Sequence, residues 1–168
     1  MSTHSPYTCL VDTHKPLAEN ESRAWNSYQK MSVRLFSQLN RELFRTTGVS
    51  LPDYEVLETL SNAPDQLLRA FELGTELQWE KSRLSHHIKR MENRELVERI
   101  VCETDGRGLW IGLTEKGKQV FAEASPTYTT QVRQLFLDAL DPSHMIALAE
   151  SAEKVLAGLT GDGELCDS

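Results

Sequence analysis

Cysteine is scarce in this chain: Cys9, Cys102 and Cys166 are the only three in 168 residues, an odd number set far apart. That excludes a disulfide framework, and with no CxxC spacing and no histidine cluster beside them it leaves no zinc signature. Long apolar runs are missing as well. Nothing approaches the roughly 20 residues that a bilayer-crossing helix needs, so no membrane partner is expected. The stretch from Met1 to Pro16 lacks the charged-then-apolar layout of an export signal, which makes the cytoplasm the expected compartment. Positive charge is short, with 18 Lys and Arg against 25 Asp and Glu and a formal net charge of −7. This speaks against indiscriminate coating of nucleic acid but leaves any single face free to be basic. There is no nucleophile–base pair, no phosphate-cradling loop and no metal-ligand cluster, so neither an enzyme nor a cofactor is expected.

What is present is a succession of helical stripes. Residues 1–18 and 161–168 lack periodicity and read as tails. From Glu19 to Thr46, Trp25, Tyr28, Met31, Leu35, Leu39 and Leu43 recur at three- and four-residue steps, one face of a long helix that Gly48 stops. Ser50 and Asp53 form a capping-box-like start with Pro52 in the first turn, and Tyr54, Leu57 and Leu60 continue an amphipathic helix to Asn62-Ala63-Pro64. After the apolar pair Leu67-Leu68, a brief helix carries Phe71, Leu73 and Leu77, and a turn through Gln78-Trp79 opens another helix to about Asn93: a helix-turn-helix. Val97 to Glu103 and Leu109 to Leu113 read as a hairpin turning at Asp105-Gly106-Arg107-Gly108. Thr114 caps a helix through Phe121, Val132 and Phe136, bent at Pro126, and Asp141-Pro142 opens a last helix towards Leu159.

The fold class is therefore mainly α with a small β-hairpin wing (α+β), a winged helix-turn-helix over 49–114 flanked by a dimerisation helix at 19–48 and dimerisation helices at 115–160. The long terminal helices carry apolar stripes that so small a domain cannot cover alone, and a homodimer follows.

Taking Leu84, Ile88 and Met91 as the buried stripe of the reading helix, a step of about 100° per residue places Ser82, His86, Lys89 and Asn93 opposite, flanked by Ser85 and Arg90. A major groove is read by short hydroxyls, amides and basic groups of this kind, although a solvated helix face has the same look. Arg107 sits at a glycine-flanked tip suited to a minor groove, and Asp105 is placed to hold it in shape.

In this order and spacing the residues resemble the MarR family of bacterial regulators. Asp53-Tyr54-Glu55-Val56-Leu57 is similar to the family's opening helix, Trp79 to Glu92 (WEKSRLSHHIKRME) to its recognition helix, Leu96-Val97-Glu98-Arg99 to the start of its wing, and Asp105-Gly106-Arg107-Gly108 followed by Leu113-Thr114-Glu115-Lys116-Gly117 to the wing tip and the next helix. The resemblance implies a homodimer on a pseudo-palindromic operator in double-stranded DNA, repressing transcription until a small molecule or oxidant releases it. The matching DNA contacts are Lys81, Ser82, Arg83, Ser85, His86, Lys89 and Arg107, with Asp105 shaping the wing; Arg83, at the side of the exposed face, suits a phosphate or an intramolecular contact better than a base. Three residues depart from the pattern. Glu80 stands where relatives often have a capping serine, Glu95 where a glycine ends the recognition helix in a left-handed conformation, so that the helix runs on or the turn is strained, and Gly74 where an alanine is usual, at a cost of about 1 kcal/mol unless close packing needs it.

As for a signal, Cys9 and Cys102 have no adjacent cation to lower a thiol pKa, yet a thiol-based redox regulator is one alternative. His86 and His87 diverge on a helix and cannot share a metal. Trp25, Tyr28 and Phe36 are candidates for a pocket holding a small apolar anion as effector, against the commoner role of such aromatics as core. A winged-helix protein-interaction module, which the acidic balance favours, is the alternative of another class.

Overall fold

The computed structural model describes residues 16–101 and 109–160. The turn Asp105-Gly106-Arg107-Gly108 and all three cysteines lie outside the described residues, and with them the expectations placed on Arg107, Asp105, Cys9 and Cys102. The chain divides into two compact units, 1–34 and 35–168. Helix α1, Glu19–Thr47, crosses the division. In the first unit Trp25 and Tyr28 stack on each other at 6.1 Å between ring centroids, and both stay about half exposed.

The second unit is built around the expected winged helix-turn-helix. The end of α1 buries Leu39 and Leu43 before Gly48, at φ +69°, turns the chain. Helix α2 (Leu51–Asn62) starts with the capping box read from the sequence: Asp53 N–H donates to Ser50 Oγ at 3.2 Å, and Ser50 N–H donates back to Asp53 Oδ2 at 3.2 Å. Asn40 adds a long-range tie, its Oδ1 accepting from Leu51 N–H at 2.8 Å. Strand β1 (Leu67–Arg69) follows, then α3 (Ala70–Glu76), α4 (Lys81–Asn93), β2 (Val97–Val101), β3 (Leu109–Leu113), α5 (Glu115–Leu135) and α6 (Pro142–Thr160).

The hairpin is part of a three-stranded antiparallel sheet, ordered β1-β3-β2, in which Leu68 pairs with Ile111 and Arg99 with the same residue from the other side. The apolar pair Leu67-Leu68 is thus a strand, not a plain connector. Leu43, Tyr54, Leu57, Leu60, Leu73, Ile88, Met91 and Ile111 are fully buried in one core drawn from α1, α2, α3, α4 and β3. Tyr54 extends it by packing at 5.5 Å on Phe121 and 4.3 Å on Tyr128, which seats α5 on α2. Burial pushes the Tyr54 hydroxyl up to about 12, aided by its neighbour Glu58. Helix α5 is unbroken at Pro126.

Helix α6 is different in kind. Every side chain from Pro142 to Leu159 is exposed, among them Met145, Ile146, Leu148, Val155, Leu156 and Leu159. A helix with that much exposed apolar surface presents a face that a further surface could cover. No helix among the described residues is long and apolar enough to cross a membrane.

Candidate nucleic-acid interface

Helix α4 is the element that could meet a groove, and its seat explains how its outer face is presented. The turn before it takes Gln78 to φ +52°, and Trp79 N–H closes it by donating to Gly74 O at 2.9 Å. Trp79 is buried in that turn, as the sequence reading placed it, and the helix itself opens two residues later, at Lys81. Glu80 is the N-cap, but its side chain makes no capping bond, so the first turn is left with only the favourable interaction between its charge and the helix dipole. Leu84, Ile88 and Met91 are buried as the periodicity required.

On the outer side, Lys81, Ser82, Arg83, Ser85, His86 and Lys89 are all exposed. The helix carries four basic residues against one acidic residue, Glu92, in a chain that is net acidic. Glu92 is half-buried and turned to the flank, where Oε2 lies 3.5 Å from Lys89 Nζ and 3.5 Å from Arg99 Nε. Arg99 also donates from Nη2 to Ser85 O at 3.3 Å, linking β2 to α4. Arg83 makes the intramolecular contact expected of its side position: its guanidinium lies 4.2 Å from the centroid of the Trp79 ring, a cation–π geometry.

The C-terminal end of α4 resolves the question of Glu95. Asn93 is the last helical residue, Arg94 caps it, and Glu95 takes the left-handed conformation itself at φ +62°. The helix does not run on. A non-glycine residue there costs on the order of 1 kcal/mol, which local bonds offset: Glu95 O accepts from Thr114 Oγ1 at 2.6 Å, and Leu96 N–H reaches back to Met91 O at 3.0 Å. At Gly74, an added Cβ would meet Trp79 O at 3.4 Å and Leu84 Cδ2 at 3.5 Å, ordinary separations, so close packing does not require the glycine.

One cluster went unseen in the sequence. His87 is buried beneath α4 with Nε2 2.9 Å from Asp53 Oδ1, off the line of a good hydrogen bond, and with its ring edge-on to Trp79 at 5.0 Å. Arg94 Nη1 donates to Asp53 Oδ2 at 2.7 Å and Nη2 to Gly48 O at 3.0 Å. Burial alone would raise the Asp53 carboxyl, but the close approach of the His87 ring and the hydrogen bonds from Arg94 and Ser50 outweigh it and hold the group well below the usual carboxylate range. The missed signal was the helical step: position 87 is three after Leu84 and four before Met91, inside the buried stripe.

The aromatic pocket expected from Trp25, Tyr28 and Phe36 is not what lines the cleft of about 820 Å³ in the second unit, whose walls include Arg69, Phe71, Trp79, Ser85 and Arg99. Phe36 is about half exposed. Among the described residues no group of His, Cys, Asp and Glu is arranged to hold a metal ion.

A helix-turn-helix followed by a hairpin, with its second helix exposing a basic and hydroxyl-rich face, defines the winged helix-turn-helix class. A sequence model of the MarR family matches residues 47–108. AbsC of Streptomyces coelicolor, a MarR family transcriptional regulator, is 34% identical over 88% of this chain and 99% of its own, with a TM-score of 0.83. Sco3205 of the same organism, a MarR family regulator solved in complex with DNA, is 32% identical over 91% of this chain and 96% of its own, with a TM-score of 0.84. A mutant of MarR from E. coli complexed with operator DNA shares the fold at 19% identity, covering 80% of this chain and 94% of its own, with a TM-score of 0.71. No curated protein sequence matches the chain significantly. The chain belongs to the MarR family of transcriptional regulators.

Proposed function

We propose that this regulator binds double-stranded DNA as a homodimer, with α4 in the major groove and Arg107 at the wing tip in the adjacent minor groove, and represses transcription at a pseudo-palindromic operator until a small molecule releases it. The observation that carries the reading is the outer face of α4, where Ser82, Ser85, His86 and Lys89 are exposed together while the opposite stripe is locked in the core. Such a face pairs donors for base edges with cations for phosphates. The likeness to Sco3205, a relative solved with DNA, supports it, and action on chromosomal DNA fits a cytoplasmic protein. The exposed apolar residues of α6 support the dimer, since a second copy could bury apolar surface that is exposed among the described residues. The half-exposed aromatics Trp25, Tyr28 and Phe36 remain our candidates for meeting an apolar effector.

Salt dependence tests the reading. Affinity for a bound fragment should fall linearly on a log–log plot against salt, and Lys89→Ala or Arg107→Ala should each flatten the slope by about 0.9 for every phosphate that the side chain no longer neutralises. Binding that ignores salt and both substitutions would favour a protein-interaction module instead.

A further inference from the structure

Arg90 and His87 carry an arrangement that the groove-reading face does not use. Arg90 Nη2 lies 2.7 Å from His87 Nδ1. A guanidinium only donates, so in this contact Nδ1 is the acceptor, while Nε2 lies beside Asp53 Oδ1. At a step of about 100° per residue, Arg83, Arg90 and Arg94 fall within about 40° of one another along one flank of α4, between the buried stripe and the outer face. Each has its guanidinium held by a different buried group: the Trp79 ring for Arg83, His87 for Arg90, Asp53 for Arg94. A helix lying in a major groove turns its flanks to the phosphate backbones that border the groove.

We propose that Arg90 is a phosphate-contacting residue and that His87 is its positioning residue, the buried ring holding the guanidinium along the flank of α4 where a DNA backbone passes. The inference rests on the DNA-binding reading above. His87 makes no contact with DNA; it acts by fixing the side chain of an exposed arginine that would otherwise sample many rotamers, and so reduces the ordering cost of binding each phosphate.

The test is a double-substitution cycle on the whole chain, with a DNA fragment that the wild-type protein binds and with affinity measured across salt at pH 8. Arg90→Ala should weaken binding about 10- to 100-fold at pH 8, the range for a hydrogen bond to a charged group, and flatten the salt slope by about 0.9 for one phosphate. His87→Leu should reproduce much of that loss, and the double variant should lose little more than Arg90→Ala alone. His87→Gln, whose amide oxygen accepts from Arg90 and whose NH2 faces Asp53, should bind as wild type does at pH 8. Additive losses from Arg90→Ala and His87→Leu, or a His87→Gln protein that binds as weakly as His87→Leu, would overturn the positioning role. An Arg90→Ala protein with wild-type affinity and slope would overturn the phosphate contact, while the wild-type interaction left intact keeps the DNA-binding reading standing. Failure of the wild-type protein to bind any fragment would remove that reading and this inference with it.

Discussion

Gly117→Ala is expected to destabilise the protein by about 2–4 kcal/mol, the net of severe overpacking and a helix-propensity gain of about 1 kcal/mol. Gly117 is buried in the first turn of α5, and a Cβ there would come within 2.0 Å of the Leu96 carbonyl oxygen and 3.0 Å of its carbon. Those atoms cannot rotate away. Leu96 is 2% exposed, its N–H is bonded to Met91 O at 3.0 Å, and its carbonyl receives Thr114 N–H at 3.3 Å. The helix or the turn after α4 would have to move, and with it the end of the reading helix. Gly74→Ala is the internal control: the same added methyl meets only ordinary van der Waals neighbours there, so it should stabilise by up to about 1 kcal/mol through propensity alone. Urea midpoints of both variants at one protein concentration check the pair. A Gly117→Ala protein as stable as wild type would show that the α5 seat is looser than described.

The second large effect is expected at Asp53. Its carboxylate, 5% exposed, serves the cap of α2 through Ser50, the end of α4 through Arg94 and the ring of His87. Asp53→Ala leaves the Ser50 N–H and His87 without their partner. Arg94, whose side chain is 44% exposed, can turn to water, so the cost falls somewhat below that of breaking a wholly buried pair, at about 2–4 kcal/mol. Asp53→Asn keeps one acceptor oxygen and the shape, and should cost less. The pH dependence has a definite sign. Because the folded carboxyl is held below its ordinary value, its contribution is fully present above about pH 4 and is lost as pH falls towards the folded value. Wild type should therefore lose stability on acidification below about pH 4 more steeply than Asp53→Asn. Parallel profiles from pH 7 to pH 2.5, or an alanine variant within about 0.5 kcal/mol of wild type at pH 7, would contradict the role.

These two residues also show where sequence reasoning reaches and where it stops. The long stripe of α1, the Ser50–Asp53 box, the Leu84–Ile88–Met91 stripe and the alternation Leu109–Ile111–Leu113 are local patterns with period 3.6 or 2, and each was legible. Strand β1 was not, because three residues around Leu67-Leu68 have no period to read and become a strand only by pairing with β3, more than 40 residues on. Glu95 was legible as a conflict between residue and conformation; only the coordinates show that the left-handed turn prevails, because Thr114 and Leu96 need the chain to turn there. Asp53 was read as a capping partner alone. Its bonds to His87 and Arg94 span 34 and 41 residues, and long-range polar pairing leaves no periodic trace. The outer face of α4 was read correctly as exposed, since the wheel that buries one side necessarily presents the other.

Selecting fragments of the host genome with the purified protein tests the central claim most directly. The α4-and-wing reading, in a homodimer, predicts strong enrichment of an inverted repeat whose half-site centres lie one helical turn apart or a multiple of it, about 10 bp per turn, and loss of that enrichment when Ser85, His86 and Lys89 are replaced together by alanine. Fragments recovered without any inverted repeat, or a repeat recovered equally well by the triple variant, would contradict it.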